Sequence, residues 1–211
     1  MIKATPRTYS KIATAMGFSP MAKANLAEVH RIAQRCGAHL YVFHIGTWTE
    51  QCETTYQNFL SDLSIDPAQV TRVSKAGDPK VMLLELCSEY QIDRLALGAL
   101  VRESMFKVFT VSIARDVCRK AQVSLLLLTS SKVEGRPCER IVVNGVDHPK
   151  TPDTIATAAW LATKLQSKEL FVVDELSEKE LARPDDDKGV LKGARKRKQM
   201  ERAQHDRLTA V

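Results

Sequence analysis

Short apolar runs rich in β-branched residues alternate along the chain with stretches whose apolar positions recur at helical spacing. The runs are KIATAM (11–16), LYVFHI (40–45), QVTRVSKA (69–76), RLALGA (94–99) and SLLLLT (124–129). Between them Leu26, Val29, Ile32 and Ala33 mark one helix face, and Val81, Leu84 and Tyr90, with Leu83 and Leu86 beside them, mark another. Strands that are apolar on both faces and separated by helices predict a parallel sheet covered on both sides and joined by right-handed crossovers. Ser19-Pro20 signals the start of the first helix and Asp78-Pro79 the start of the third, because proline suits the first helical turn. The pattern predicts an α/β domain over residues 1–130, built on a five-stranded parallel sheet covered on both sides.

Residues 131–139 then read as a polar linker with one glycine and one proline. After it the pattern begins again. RIVVNGVDHPKTPDTIATAAWLATKLQSKELFVVDEL (140–176) repeats the order of KIATAMGFSPMAKANLAEVHRIAQRCGAHLYVFHI (11–45). Ile12 matches Ile141, Pro20 matches Pro149, Leu26 matches Ile155 and Leu40 matches Leu170, so the offset is 129 residues at first and 130 by the second strand. A whole βαβ unit recurring at that distance predicts a tandem duplication, with residues 140–182 as a partial second repeat. Its strands, with Ile141, Val142, Val143, Phe171, Val172 and Val173, read as buried on both faces. Residues 140–176 are therefore expected to be covered by the first domain or by a second chain. Residues 183–211 form a charged tail of helical or disordered character.

Charge sharpens this division. The formal net charge is +6. The stretch 188–207 alone supplies that balance, through Lys188, Lys192, Arg195, Lys196, Arg197, Lys198, Arg202 and Arg207 against Glu201 and Asp206. The basic pI near 9.1 therefore describes a tail rather than a basic face on the folded part. Counterion release lets such a tail grip nucleic acid, but it has no aromatic residue for base stacking, so any such binding is expected to be non-specific and salt-sensitive. No apolar run approaches the ~20 residues of a membrane span, and the first residues lack a secretory core. A cytoplasmic protein is expected, without membrane partners. Cys36, Cys52, Cys87, Cys118 and Cys138 form no C-x-x-C pair and read as reduced, structural thiols.

In open parallel sheets ligands sit at the carboxyl ends of the strands, where strand order reverses. The candidate loops are GFSPMAK (17–23), AGDPK (76–80) and GALVRESMFKVFTVSIA (98–114). A phosphate loop needs glycines so that backbone amides can approach the anion at positive φ, with a helix amino terminus behind them. After Gly98 the next glycine is Gly135. His39 and His44 lack further ligands at metal spacing. Ser19, Ser112 and Asp78 sit in no strand-to-helix elbow of the G-x-S-x-G type, so they read as caps and turn formers rather than a hydrolase set. No catalytic or metal residue is predicted.

The order KIATAMGFSP, a strand ending VFHI, GDPKVMLLELCSEYQIDRLALGA and VSIARDVCRKAQVSLLLLT resembles the universal stress protein family. The resemblance spans a full copy in the first domain and the first third of another from Arg140. It implies a doubly wound, adenine-nucleotide α-hydrolase-like five-stranded domain that dimerises, often through its last strand. It also implies an ATP loop of the form G-x2-G-x9-G-[ST], with an aspartate on the adenine side after the first strand. Laid over this sequence, Gly98 falls on the first glycine, Val101 on the second, Val111 on the third and Ser112 on the hydroxyl, while Gly17 holds the aspartate position and Ala76 borders the cleft. Two β-branched residues stand where bare backbone should meet phosphate, and each disfavours positive φ. Arg102 and Lys107 could attract an anion without the amide cradle. Met105, Phe106, Val108 and Phe109 read as packing over the sheet edge or into a partner. Asp147 lies near the acidic position of the second copy.

These features predict a non-enzymatic, universal-stress-type regulatory protein that acts as a homodimer or larger assembly, with a vestigial nucleotide site and no cofactor. One alternative is a sensor of the same family that binds ATP or another small molecule beside Gly17, Ala76 and Gly98. A second is a nucleic-acid-associated protein using residues 188–207.

Overall fold

The computed structural model describes residues 4–98, 113–173, 198, 199 and 202. The chain divides into two compact units, Tyr9–Arg136 and a second made of Met1–Thr8 with Pro137–Val211.

The first unit runs β1 (Lys11–Ala15), α1 (Ala22–Cys36), β2 (His39–Ile45), α2 (Glu50–Asp62), β3 (Val70–Lys75), α3 (Pro79–Glu89), β4 (Arg94–Gly98), α4 (Ile113–Lys120) and β5 (Ser124–Leu128). Its strands are all parallel, in the order β3-β2-β1-β4-β5. This is the doubly wound five-stranded sheet that the sequence predicts. The order reverses between β1 and β4, which places a crevice at their carboxyl ends.

Alternation along the strands sends one set of side chains to each side of the sheet. Ala13, Phe43, Leu95 and Leu97 pack with Leu83, Leu86 and Cys87 of α3 and Val117 of α4. Burial in that layer pushes the Cys87 thiol up to about 12. Lys80 and Asp116 join α3 to α4 across 2.6 Å, and that hydrogen-bonded ammonium holds the Asp116 carboxyl below its usual range. At the other end of the sheet Asp93 Oδ2 accepts from the Ser10 amide (2.8 Å), the Ser10 hydroxyl (2.9 Å) and the Lys11 amide (2.8 Å), fixing β1 beside β4.

The elements correct the sequence reading in three places. α1 begins at Ala22 behind Met21, which makes no side-chain cap; Ser19 contributes only its carbonyl, to the Ala22 amide at 2.8 Å. The Asp78 cap is as expected, accepting from the Lys80 amide at 2.9 Å with Pro79 in the first turn. The buried stripe of α3 is Leu83, Leu86 and Cys87, while Val81 is 46% exposed. α3 is apolar at four consecutive positions from Val81, so tertiary packing rather than pattern sets its phase. α2 was not marked by any apolar face and buries only Tyr56 and Leu60.

The second unit pairs β6 (Arg140–Asn144) with β7 (Glu169–Val173) in parallel, with α5 (Thr151–Leu165) between them in sequence. Val143, Ile155 and Ala158 form its core, with Ile141, Leu170 and Val172 packed against them. The N-terminal segment lies along α5, where the Thr5 amide donates to Asp153 Oδ1 (3.1 Å) and the Arg7 amide to Thr157 Oγ1 (2.9 Å). Only backbone donors serve these bonds, and nothing in the side chains of residues 1–8 announces them.

The geometry of the first βαβ recurs. Ile12 opposite Leu40 reappears as Ile141 opposite Leu170, and Ala13 opposite Tyr41 as Val142 opposite Phe171. The turn bond from the Ala22 amide to Ser19 O recurs from Thr151 to His148 O, and Ala38 to Ala33 O recurs from Ser167 to Ala162 O. The offset is 129 at all four of these donor and acceptor positions and 130 within β7, so the extra residue enters at the start of β7. There Glu139 O accepts from both Lys168 (2.9 Å) and Glu169 (3.1 Å). Asp147 therefore corresponds to Phe18, not to the acidic position at Gly17.

The strands of the second unit are not buried on both faces. Val142 is 62% exposed, and Phe171 and Val173 are each 45% exposed. α5 packs on the alternate face, with Ile155 and Ala158 against Val143.

Candidate functional site

The crevice of the first unit opens into a cavity of about 330 Å³. Ala15, Met16 and Gly17 come from the end of β1, Phe43 and Ile45 from β2, and Leu97 and Gly98 from β4. Ala22 and Asn25 enter from α1, and Pro79 and Leu83 from α3. Among the described lining residues only Ser19 and Asn25 have polar side chains, and none is charged. None of these described residues offers an ion pair to a phosphate.

The sequence-predicted residues are distributed unevenly. Gly17 and Gly98 both line the cavity, whereas Ala76 is exposed and is not among its described lining. Val101, Val111 and Ser112 lie outside the described residues, together with Arg102, Lys107 and the apolar group Met105, Phe106, Val108 and Phe109. Residues 183–211 fall outside them too, apart from Lys198, Gln199 and Arg202. His39 Nε2 pairs with Thr71 Oγ1 at 2.8 Å and His44 Nδ1 with Met16 O at 3.0 Å. Among the described residues no group of three or more His, Cys, Asp or Glu could hold a metal.

The bare backbone of Gly98 leaves room for the end of the Asn25 side chain. A Cβ there would stand 2.5 Å from Asn25 Nδ2, so the α1 amide rests directly on the end of β4. The glycine serves close approach here rather than positive φ.

An aromatic cluster stands beside Gly17. Phe18 adopts φ 51°, a left-handed conformation that is strained for a bulky residue. Its ring centroid lies 5.5 Å from His44, 5.6 Å from Trp48 and 6.4 Å from Phe59. Arg72 stacks on Trp48 at 4.2 Å, while Glu53 Oε2 accepts from Trp48 Nε1 (2.7 Å) and pairs with Arg72 (3.1 Å). Hydrogen bonds from Gln57 and Trp48, with a smaller contribution from Arg72, hold the Glu53 carboxyl below its usual range. The flank where the family resemblance places an adenine-side acid is thus an aromatic wall. Its members come from β2, α2, β3 and two loops, and no short motif links them.

No family model matches the chain, and no curated protein does. Solved structures do. The chain is similar to a functionally unknown protein from Pseudomonas aeruginosa PAO1, at 13% identity and a TM-score of 0.68, covering 95% of this chain and 70% of that one. It is similar to a protein from Pseudomonas aeruginosa UCBPP-PA14, provisionally assigned as a universal stress protein, at 14% identity and 0.64, covering 95% and 71%. A universal stress protein solved in complex with cAMP matches at 16% identity and 0.50, covering 57% of this chain and 97% of that one. At these identities the likeness is one of fold: the chain has the fold of universal stress proteins.

Proposed function

We propose that this chain is a non-enzymatic, universal-stress-type regulatory protein whose nucleotide cleft is degenerate and which works by dimerising and presenting surface to partners. The observation that carries the reading is the cleft itself. Its described lining has no charged side chain, glycine stands at the acidic position, and Phe18, His44 and Trp48 wall the adjoining flank. The valines at positions 101 and 111 support it from sequence, since neither suits a phosphate-cradling backbone. Dimerisation is supported by β5, an edge strand of the sheet with Leu127 45% exposed, because open edges invite pairing. The repeated register and turn bonds of the second unit support a tandem duplication, of which residues 140–182 are the partial second copy. A thermal-shift series with ATP, AMP and cAMP tests the reading; unchanged melting at millimolar nucleotide is expected, and a saturable rise would refute it.

A second reading, a nucleotide or small-molecule sensor, is favoured by the fold neighbour solved with cAMP and by the open cleft beside Asn25. The same titration separates the two.

A further inference from the structure

Residues 4–8 belong with the second unit, although β1, which follows them, belongs to the first. Their backbone holds them there, through the Thr5 amide on Asp153 Oδ1 and the Arg7 amide on Thr157 Oγ1. Pro6, between the two donors, has no N–H to place, and it biases Thr5 towards extended backbone. Asp153, Ala156 and Thr157 share one stripe of α5, at a spacing of three and four residues, and Ala156 is 5% exposed there. Ala156 lies apart from the Val143, Ile155 and Ala158 core that α5 makes with its strands. On the segment itself Ala4 is buried, whereas Thr5, Pro6, Arg7 and Thr8 are all exposed.

The first unit holds the corresponding segment more firmly. At the offset of 129, residues 4–7 correspond to 133–136. There α1 grips the backbone through Arg31, whose guanidinium donates to Val133 O (2.8 Å) and Lys132 O (2.9 Å) and pairs with Glu28 (2.5 Å). On α5 the corresponding residue is Trp160, whose indole has a single N–H, so no fork of donors clamps residues 4–8. Both hydrogen bonds of that segment lie at exposed sites, and contacts of this kind open at low free energy.

We propose that residues 4–8 form a detachable strap, and that lifting it from α5 loosens the second unit and uncovers the stripe at Ala156. The described buried core of that unit is small, so the cover over α5 contributes to holding it closed. A grip from outside is at hand, because the side chains of residues 5–8 are exposed while the bonds inward come from the backbone. A partner can therefore take hold of the strap before the unit opens.

The test uses the full chain. Thr5→Pro with Arg7→Pro removes both amide donors, keeps the backbone extended and leaves α5 untouched. Hydrogen exchange is expected to quicken at least tenfold through β6, α5 and β7 and to stay unchanged in β1 to β5. Thr5→Ala with Arg7→Ala keeps both donors and is expected to exchange as the wild-type chain does. An Ala156→Cys thiol, followed by mass spectrometry of the maleimide-treated chain, is expected to react at least tenfold faster in the double proline variant. Unchanged exchange over residues 140–173 in that variant would overturn the proposal, because the unit would then stand without its strap. Exchange that quickens equally in both units would overturn it, as would an Ala156→Cys thiol that reacts only when the whole chain unfolds. An equal loss of protection in the alanine pair would place the hold in the side chains and overturn it too. None of these outcomes depends on whether nucleotide binds the first unit.

Discussion

Gln166 closes α5 in the left-handed conformation that Gly37 takes at the end of α1, with φ 58° and ψ 41° against φ 68° and ψ 30°. The two caps also make corresponding bonds, to Ala162 O and Thr163 O and to Ala33 O and Gln34 O. Glycine takes this conformation without a Cβ penalty, and glutamine does not. Gln166→Gly is expected to stabilise the second unit by about 0.5–1 kcal/mol, and Gly37→Gln to destabilise the first by a similar amount. Denaturant melts followed by Trp160 in a Trp48→Phe background, and by Trp48 in a Trp160→Phe background, read the two units separately. A loss of stability in Gln166→Gly would contradict the cap assignment.

The contact of Asn25 with Gly98 gives a second expectation. Gly98→Ala brings a Cβ to 2.5 Å from the terminal amide nitrogen of Asn25, which must swing aside, and is expected to cost about 1 kcal/mol or less. Asn25→Ala in the same chain should recover most of that loss. A double-mutant cycle with no coupling would show that the two sites do not touch.

The strands were legible because their apolar runs are bounded by turn residues and linked by helical spacing, whereas their order in the sheet, β3-β2-β1-β4-β5, is set by tertiary packing that the pattern does not encode. The repeat was legible because it preserves both identity and spacing, as in Pro20 and Pro149. α2 was not, since two buried residues, Tyr56 and Leu60, are too few to mark a face. The exposure of Phe171 was not either. A strand built for burial on both sides reads the same whether or not a helix covers it. Gly17 and Gly98 line the cleft, but the aromatic wall of Phe18, His44 and Trp48 is assembled by tertiary structure alone and no sequence signal marks it.

His30 on α1 is 8% exposed, and its Nε2 has no hydrogen-bond partner. Burial, and then the charge of Arg31, hold its pKa below the ordinary value. The unfolded chain therefore takes up the proton first as pH falls. The neutral buried form contributes its full stability above the unfolded pKa of about 6.5, and that contribution declines below it. His30→Leu is expected to be neutral or stabilising by about 1 kcal/mol at pH 7.5, and to flatten the fall in melting temperature towards pH 5. An unchanged pH profile would place the proton uptake elsewhere.

Self-association through the β5 edge is expected to be sensitive to charge there. Sedimentation of the wild-type chain should show a dimer that Leu127→Lys weakens by at least tenfold. A dimer indifferent to Leu127→Lys would move the interface away from β5.

Calorimetry of the full chain with ATP checks the proposed loss of nucleotide from the cleft. Each missing carboxylate or amide contact to a charged group removes about 1.5–3 kcal/mol. Losing two or three of them weakens a micromolar site by roughly three or more powers of ten. No heat of binding is expected from the wild-type chain at millimolar ATP, and partial recovery from Val101→Gly with Val111→Gly and Gly17→Asp. Micromolar binding of ATP by the unmodified chain would contradict the account.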